Sequence, residues 1–108
     1  MRLFEMAQLK EAIKFAEEGG QALHLHTFNS GHFLFRRYPV ISHLFDMDKD
    51  RLVETARSLG VNVIKIEREG ERGQHIDLCA GPLERAKKLA IIHPGQEHLG
   101  DNTFQKEK

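Results

Sequence analysis

Residues 40–45, Val-Ile-Ser-His-Leu-Phe, decide how the chain folds. The run is nearly all apolar, and periodicity alone admits a buried strand or the opening of a helix. Val40 and Ile41 are β-branched, which favours the strand. Asp46 or Asp48 can then cap a helix over about residues 49–59, with Leu52, Val53, Ala56 and Leu59 on its inner face. Gly60 suits the helix end, and Val61 can fold back beyond the cap. The β-branched run 61–67, VNVIKIE, reads as the clearest strand in the chain. A strand–helix–strand unit of this kind should be parallel and right-handed. Glu69, Gly70, Glu71, Arg72 and Gly73 form a turn-rich connection of hairpin length. It leads to the run GQHIDL, residues 73–78, as an antiparallel strand.

Outward from this middle, Met6, Leu9, Ile13 and Ala16 recur at helical spacing beside Ala12, predicting a helix over about 5–18 that ends at Gly19-Gly20. Residues 22–28, ALHLHTF, alternate as a strand with one buried face. Asn29, Ser30 and Gly31 make a turn, and residues 33–37 form a short strand interrupted by Tyr38-Pro39. Gly81-Pro82 opens a third helix carrying Leu83, Ala86, Leu89 and Ala90, with Pro at a position that needs no amide partner. The expectation is an α/β fold: a single small domain over 1–94, a mixed sheet of about four strands and about three helices. Residues 95–108 read as a polar, frayed C-terminal tail with Leu99 and Phe104 as its only anchors.

The chain has 108 residues and equal numbers of Lys plus Arg and Asp plus Glu, so its formal net charge is zero. That argues against a general polyanion binder. The single cysteine, Cys79, can form no internal disulfide and excludes a CxxC zinc site. With no secretory signal pattern and no apolar run near the ~20 residues that span a bilayer, the expectation is a cytoplasmic protein with no membrane partner. Seven histidines in so short a chain are the compositional oddity.

His75 and Asp77 stand two apart, which on a strand puts their Cα atoms roughly 6.6 Å apart with both side chains on one face. Ile76 and Leu78 then face the core. Such a pair suits a divalent metal, or a general base oriented by an acid. On spacing alone, a solvated polar face is the commoner explanation. His24 and His26 make a second same-face pair, where a half-exposed strand with surface histidines is the favoured reading. His43 lies in an apolar run, and a buried imidazole needs a partner. Arg85 falls early in the third helix, where the macrodipole disfavours a cation, which hints at an anionic partner. A pairing with Glu84 is the plainer account. Arg36, Arg37 and Tyr38 can hold a phosphate and stack on a base, although an ordinary charged loop explains them more simply. There is no Gly-rich phosphate loop, helical HExxH or nucleophile elbow.

Ser42-His43-Leu44, the helix end Leu59-Gly60-Val61 and His75-Ile76-Asp77-Leu78 together resemble a small bacterial domain-of-unknown-function family. That family pairs a Ser-His-Leu stretch with a helix ending Leu-Gly-Val and a His-x-Asp-Leu signature. The likeness covers about half the chain. Ile76 stands where the family has an aromatic residue, and the acid after the first His is displaced to Asp46 or Asp48. The early strand carries His24 and His26 where the family has aspartates. The resemblance singles out His43, His75 and Asp77 and implies no activity. Taken with the residues, it points to a His/Asp pocket of His43, His75 and Asp77 for a divalent metal ion or a small anionic ligand, open to hydrolytic use. His75 would be base or ligand, Asp77 the orienting carboxylate or second ligand, and Arg85 the anion clamp, with Asp46 and Asp48 as possible additions. The alternative is a non-catalytic interaction or nucleic-acid-associated module anchored on Phe33, Phe35, Arg36, Arg37 and Tyr38.

Overall fold

A computed structural model describes residues 1–27 and 40–92, with the side chains of His26, Thr27, Val40 and Ile92 left out of account. The fold is α/β. Four strands, β1 (Arg2–Phe4), β2 (Gln21–Thr27), β3 (Val40–Asp46) and β4 (His75–Leu78), form one mixed sheet in the order β1-β2-β3-β4. β1 runs parallel to β2, and the β2–β3 and β3–β4 pairs are antiparallel. Three helices, α1 (Leu9–Glu17), α2 (Lys49–Ser58) and α3 (Ala80–Ile92), cover the sheet.

VISHLF is a strand, and it sits between two neighbours. Strand alternation sends Leu44 to one face and Phe45 to the other. Leu44 joins Leu23, Ile76 and Leu78 under α2 and α3, which contribute Leu52, Ala56, Leu59, Leu83, Ala86 and Ala90. Phe45 joins Phe4 and Ala22 beneath Ala12 and Ala16 of α1. The sheet is thus covered on both sides, unequally: two helices on one face, one short helix on the other. His24, His43, His75 and Asp77 lie on the single-helix face, whereas the buried Gln21, Ser42 and Asp46 lie on the other.

Helix α2 starts as its sequence dictates. The Asp48 carboxylate accepts from the Arg51 amide, supplying one of the acceptors that a helix N-terminus lacks. Asp46 does something different. It is fully buried, and its carboxylate takes two bonds from Arg51 (2.6 and 2.8 Å), one from Gln21 (3.0 Å) and one from the Asp48 amide (2.9 Å). The end of α2 is closed by Gly60, at φ 94°, with Val61 donating back to the Ala56 carbonyl. Arg85 reaches across from α3 and donates from Nε to the Leu59 carbonyl at 2.7 Å. A cation at a helix C-terminus meets the favourable end of the dipole. A Cβ on Gly60 would lie 2.7 Å from Arg85 Nη2 and force a left-handed backbone on an L-residue. Gly60→Ala should therefore lower stability by about 1–2 kcal/mol, read as a shift in urea midpoint at unchanged slope.

Three expectations need correction. Residues 61–67 are not a strand; their only ladder contact is a single bridge, Glu67 with His75. Val61, Ile64 and Ile66 lie half-buried against the core while Val63 is 84% exposed, so the run packs as an irregular segment without pairing as a strand. The parallel crossover expected from β3 through α2 is consequently absent: β4 returns antiparallel to β3, and the parallel pair is β1 with β2, joined through α1. The N-terminal helix starts later than expected, at Leu9, because Met6–Gln8 form a 3-10 turn, and residues 2–4, assigned no element from the sequence, form an edge strand. The expected short strand at 33–37 and the tail 95–108 lie outside the described residues.

Candidate metal and anion site

Cross-strand register builds the site. His24 pairs with His43, His43 with Asp77, and Phe45 with His75. All of these side chains share the α1 face, because Leu23, Leu44, Ile76 and Leu78 occupy the other. Three sequence-nominated residues, His43, His75 and Asp77, therefore come together. Their ligand atoms all lie within 4.8 Å of one another. His43 Nδ1 donates to Asp77 Oδ1 at 2.9 Å, and His75 Nε2 stands 3.4 Å from the same oxygen. The His43 and His75 rings meet edge to face at 4.7 Å.

The proton inventory of His75 is constrained. Its Nδ1 lies 2.7 Å from the Gly73 carbonyl, which can only accept, so Nδ1 carries the proton. An ionised Asp77 also only accepts. A proton on Nε2, making His75 a cation, or a positive ion between Nε2 and Oδ1 would turn their 3.4 Å approach into an attraction. Burial alone would push the His75 pKa down, but hydrogen bonds from the ring to Asp77 and Gly73, with the charges of Asp77 and Glu67, outweigh it and raise the pKa above its ordinary value. Asp77 is held well below the usual carboxylate range, first by the His43 hydrogen bond and then by that of His75.

His24 was expected at the surface as part of a half-exposed strand. It is instead buried, with its Nε2 donating to the Met6 carbonyl at 3.0 Å. Its ring stacks on His43 at 5.7 Å, nearly parallel, so it backs the site without joining the cluster. Phe45 supports both His43 and His75 from the adjoining row. Asp46 and Asp48 do not join: Asp46 is committed to Arg51 and Gln21, and Asp48 caps α2. Arg85 does not join either. Its helix packs on the opposite face of the sheet, where its guanidinium closes α2. The alternative interface residues Phe33, Phe35, Arg36, Arg37 and Tyr38 lie outside the described residues.

Beside the cluster opens a pocket with a volume of about 270 Å³. His43, Phe45 and His75 form its floor, and Leu9 and Ile13 of α1 form one wall. Leu9, expected in the core by its helical spacing, is 42% exposed here. The other wall is the turn that precedes β4, contributing Arg68, Arg72 and Gly73. Sequence reasoning missed Arg68 and Arg72. Turn composition identified the connection but gave no direction to its side chains, and only the folded turn shows them beside His75. That turn is well held. Gln74, itself buried, accepts from the Gly70 amide and donates to the Asp46 carbonyl at the end of β3, each at 2.8 Å.

No helix among the described residues is long and apolar enough to cross a membrane. Comparison with protein-family models, with curated proteins and with solved structures gives no match.

Proposed function

We propose that the protein binds one divalent metal ion through His43, His75 and Asp77 and uses it on a small anionic substrate, with hydrolysis as the reaction type. The observation that carries this reading is the facing pair His75 Nε2 and Asp77 Oδ1, at 3.4 Å, with the other ring nitrogen fixed by a backbone carbonyl. A carbonyl bonded to the far nitrogen is the usual means of orienting a metal-binding imidazole. Tetrahedral zinc with ligands at ~2.0–2.1 Å sets neighbouring donor atoms roughly 3.3–3.4 Å apart, which suits this pair. The shorter His43–Asp77 contact is a hydrogen bond, and it would open by about half an ångström as the metal replaced the proton. Two imidazoles and a carboxylate suit Zn²⁺ and its first-row neighbours better than Mg²⁺ or Ca²⁺, which prefer all-oxygen sites. Three protein ligands leave coordination open on the pocket side, the condition for activating water.

The test is a zinc titration of untagged protein against a competing chelator at pH 8. One ion per chain is expected, with His75→Ala weakening it roughly 100-fold or more, beyond the 10–100-fold typical of losing an outer-sphere partner. Unchanged zinc affinity in His75→Ala, or no stoichiometric uptake by the wild type, would end the metal reading.

A further inference from the structure

The pocket beside the cluster combines three features that the metal site does not require. Two arginines stand on one wall, two apolar side chains stand on the other, and the floor is shared with the proposed metal ligands. We propose that this pocket binds a compact phosphate monoester, its phosphate held by Arg68 and Arg72 above the His/Asp cluster and its apolar body seated against Leu9, Ile13 and Phe45. The proposal deepens the metal-site reading and rests on it for the placing of the phosphate head.

The arginines are held in place by bonds that leave donors to spare. Arg72 uses Nε on Glu17 of α1 at 2.9 Å, and Arg68 uses Nε on the Arg72 carbonyl at 3.1 Å. A guanidinium has five N–H donors, so each keeps others for a ligand. Glu71 is 3.9 Å from Arg68 Nη2, loose enough for a bound anion to displace it. The fork of N–H groups on Arg matches phosphate oxygens in a way that a Lys ammonium does not. The turn that carries both arginines is pinned through Gln74 to the end of β3, so less ordering is left to be done on binding.

Size and lining narrow the class. A volume of 270 Å³ corresponds to about nine water molecules at ~30 Å³ each. That lies just under the ~300 Å³ at which drug-sized sites begin, so a small ester can be held within it. Leu9, left 42% exposed, and Ile13 give the organic part of an ester something to cover. A bare phosphate ion would leave that wall wet.

Isothermal titration with phenyl phosphate, inorganic phosphate and benzoate, on zinc-free and zinc-loaded protein, tests this. Phenyl phosphate should bind at least tenfold tighter than either of the others. The double variant Arg68→Gln/Arg72→Gln should lose at least tenfold in phenyl phosphate affinity while its melting temperature and zinc stoichiometry stay unchanged. Leu9→Gln, at an exposed position, should narrow the preference for phenyl phosphate over inorganic phosphate. Equal affinity for phenyl phosphate in the wild type and the double variant overturns the proposal. So does benzoate or inorganic phosphate matching phenyl phosphate. Zinc uptake without phenyl phosphate binding overturns the pocket and spares the metal site. Arginine-dependent phenyl phosphate binding in a protein that takes up no zinc does the reverse.

Discussion

Asp46→Ala is expected to cost about 3–5 kcal/mol, the penalty for breaking a buried ion pair by removing one partner. That is a large share of the ~5–15 kcal/mol that holds an ordinary domain together, so the variant should unfold at a much lower urea concentration than the wild type. The cause is the number of donors that converge on one carboxylate. Arg51 places Nε and Nη2 on its two oxygens, and Gln21 and the Asp48 amide add a bond each. Arg51 Nη2 also donates to the carbonyls of Gly19 and Gly20, at the end of α1. One acid therefore ties β2, β3, the start of α2 and the end of α1. Alanine would leave a half-buried guanidinium without its counter-charge, and would remove one of the two acceptors of the Gln21 amide, whose other partner is Thr55. Urea unfolding of the wild type and the variant measures this; a loss under about 1 kcal/mol would place Asp46 among ordinary surface positions and refute the account.

The second large effect concerns Asp77. Asp77→Asn should lower zinc affinity by more than 100-fold, since it removes the negative charge from the three proposed ligands and leaves a neutral amide oxygen beside both histidines. It should also act on His75 when no metal is present. Burial pushes the His75 pKa down, and the interactions that overcome it come mainly from Asp77. In Asp77→Asn the His75 pKa should fall back toward or below its ordinary ~6.5, a shift that an NMR titration of the ring proton reads directly. An unmoved His75 pKa would show that Asp77 does not control that ring.

The same pair fixes the pH dependence. The His75 pKa is raised in the folded protein, so its stabilising contribution without metal is complete below about pH 6.5 and is lost as pH rises through the folded value. Asp77 has a depressed pKa, so its contribution is complete above about pH 4 and is lost as pH falls toward the folded value. Zinc must displace the proton from His75, so metal affinity runs the other way. It should rise with pH, up to about tenfold per unit, until His75 has titrated.

Much of this was legible in the chain, and the failures are physical. Strict alternation in His75-Ile76-Asp77-Leu78 placed the polar pair on one face and the apolar pair on the other, as the burial pattern has it. A cap on α2 at Asp46 or Asp48, and its closure at Gly60, followed from backbone requirements that local sequence states directly, and the structure gives the cap to Asp48. Residues 61–67 misled because β-branched composition reports fitness for a pleated surface, and no neighbouring strand offers one there. His43 could be nominated, but its meeting with Asp77 depends on a pairing between strands 34 residues apart, which periodicity does not contain. Strand β1 is three residues long, too short for alternation to mark it.

The brevity of β4 has a consequence for how this chain can vary. Four residues carry both jobs, with Ile76 and Leu78 buried and His75 and Asp77 on the reverse side. Adding or deleting a single residue inside β4 would exchange the two sets, driving an imidazole and a carboxylate into oil and a leucine into water. Among the described residues upstream of β4, Asn62 and Val63 are exposed and paired to no strand, so a length change is better tolerated there. The alternation of β4 thus ties the face that carries the proposed ligands to the face that carries the core.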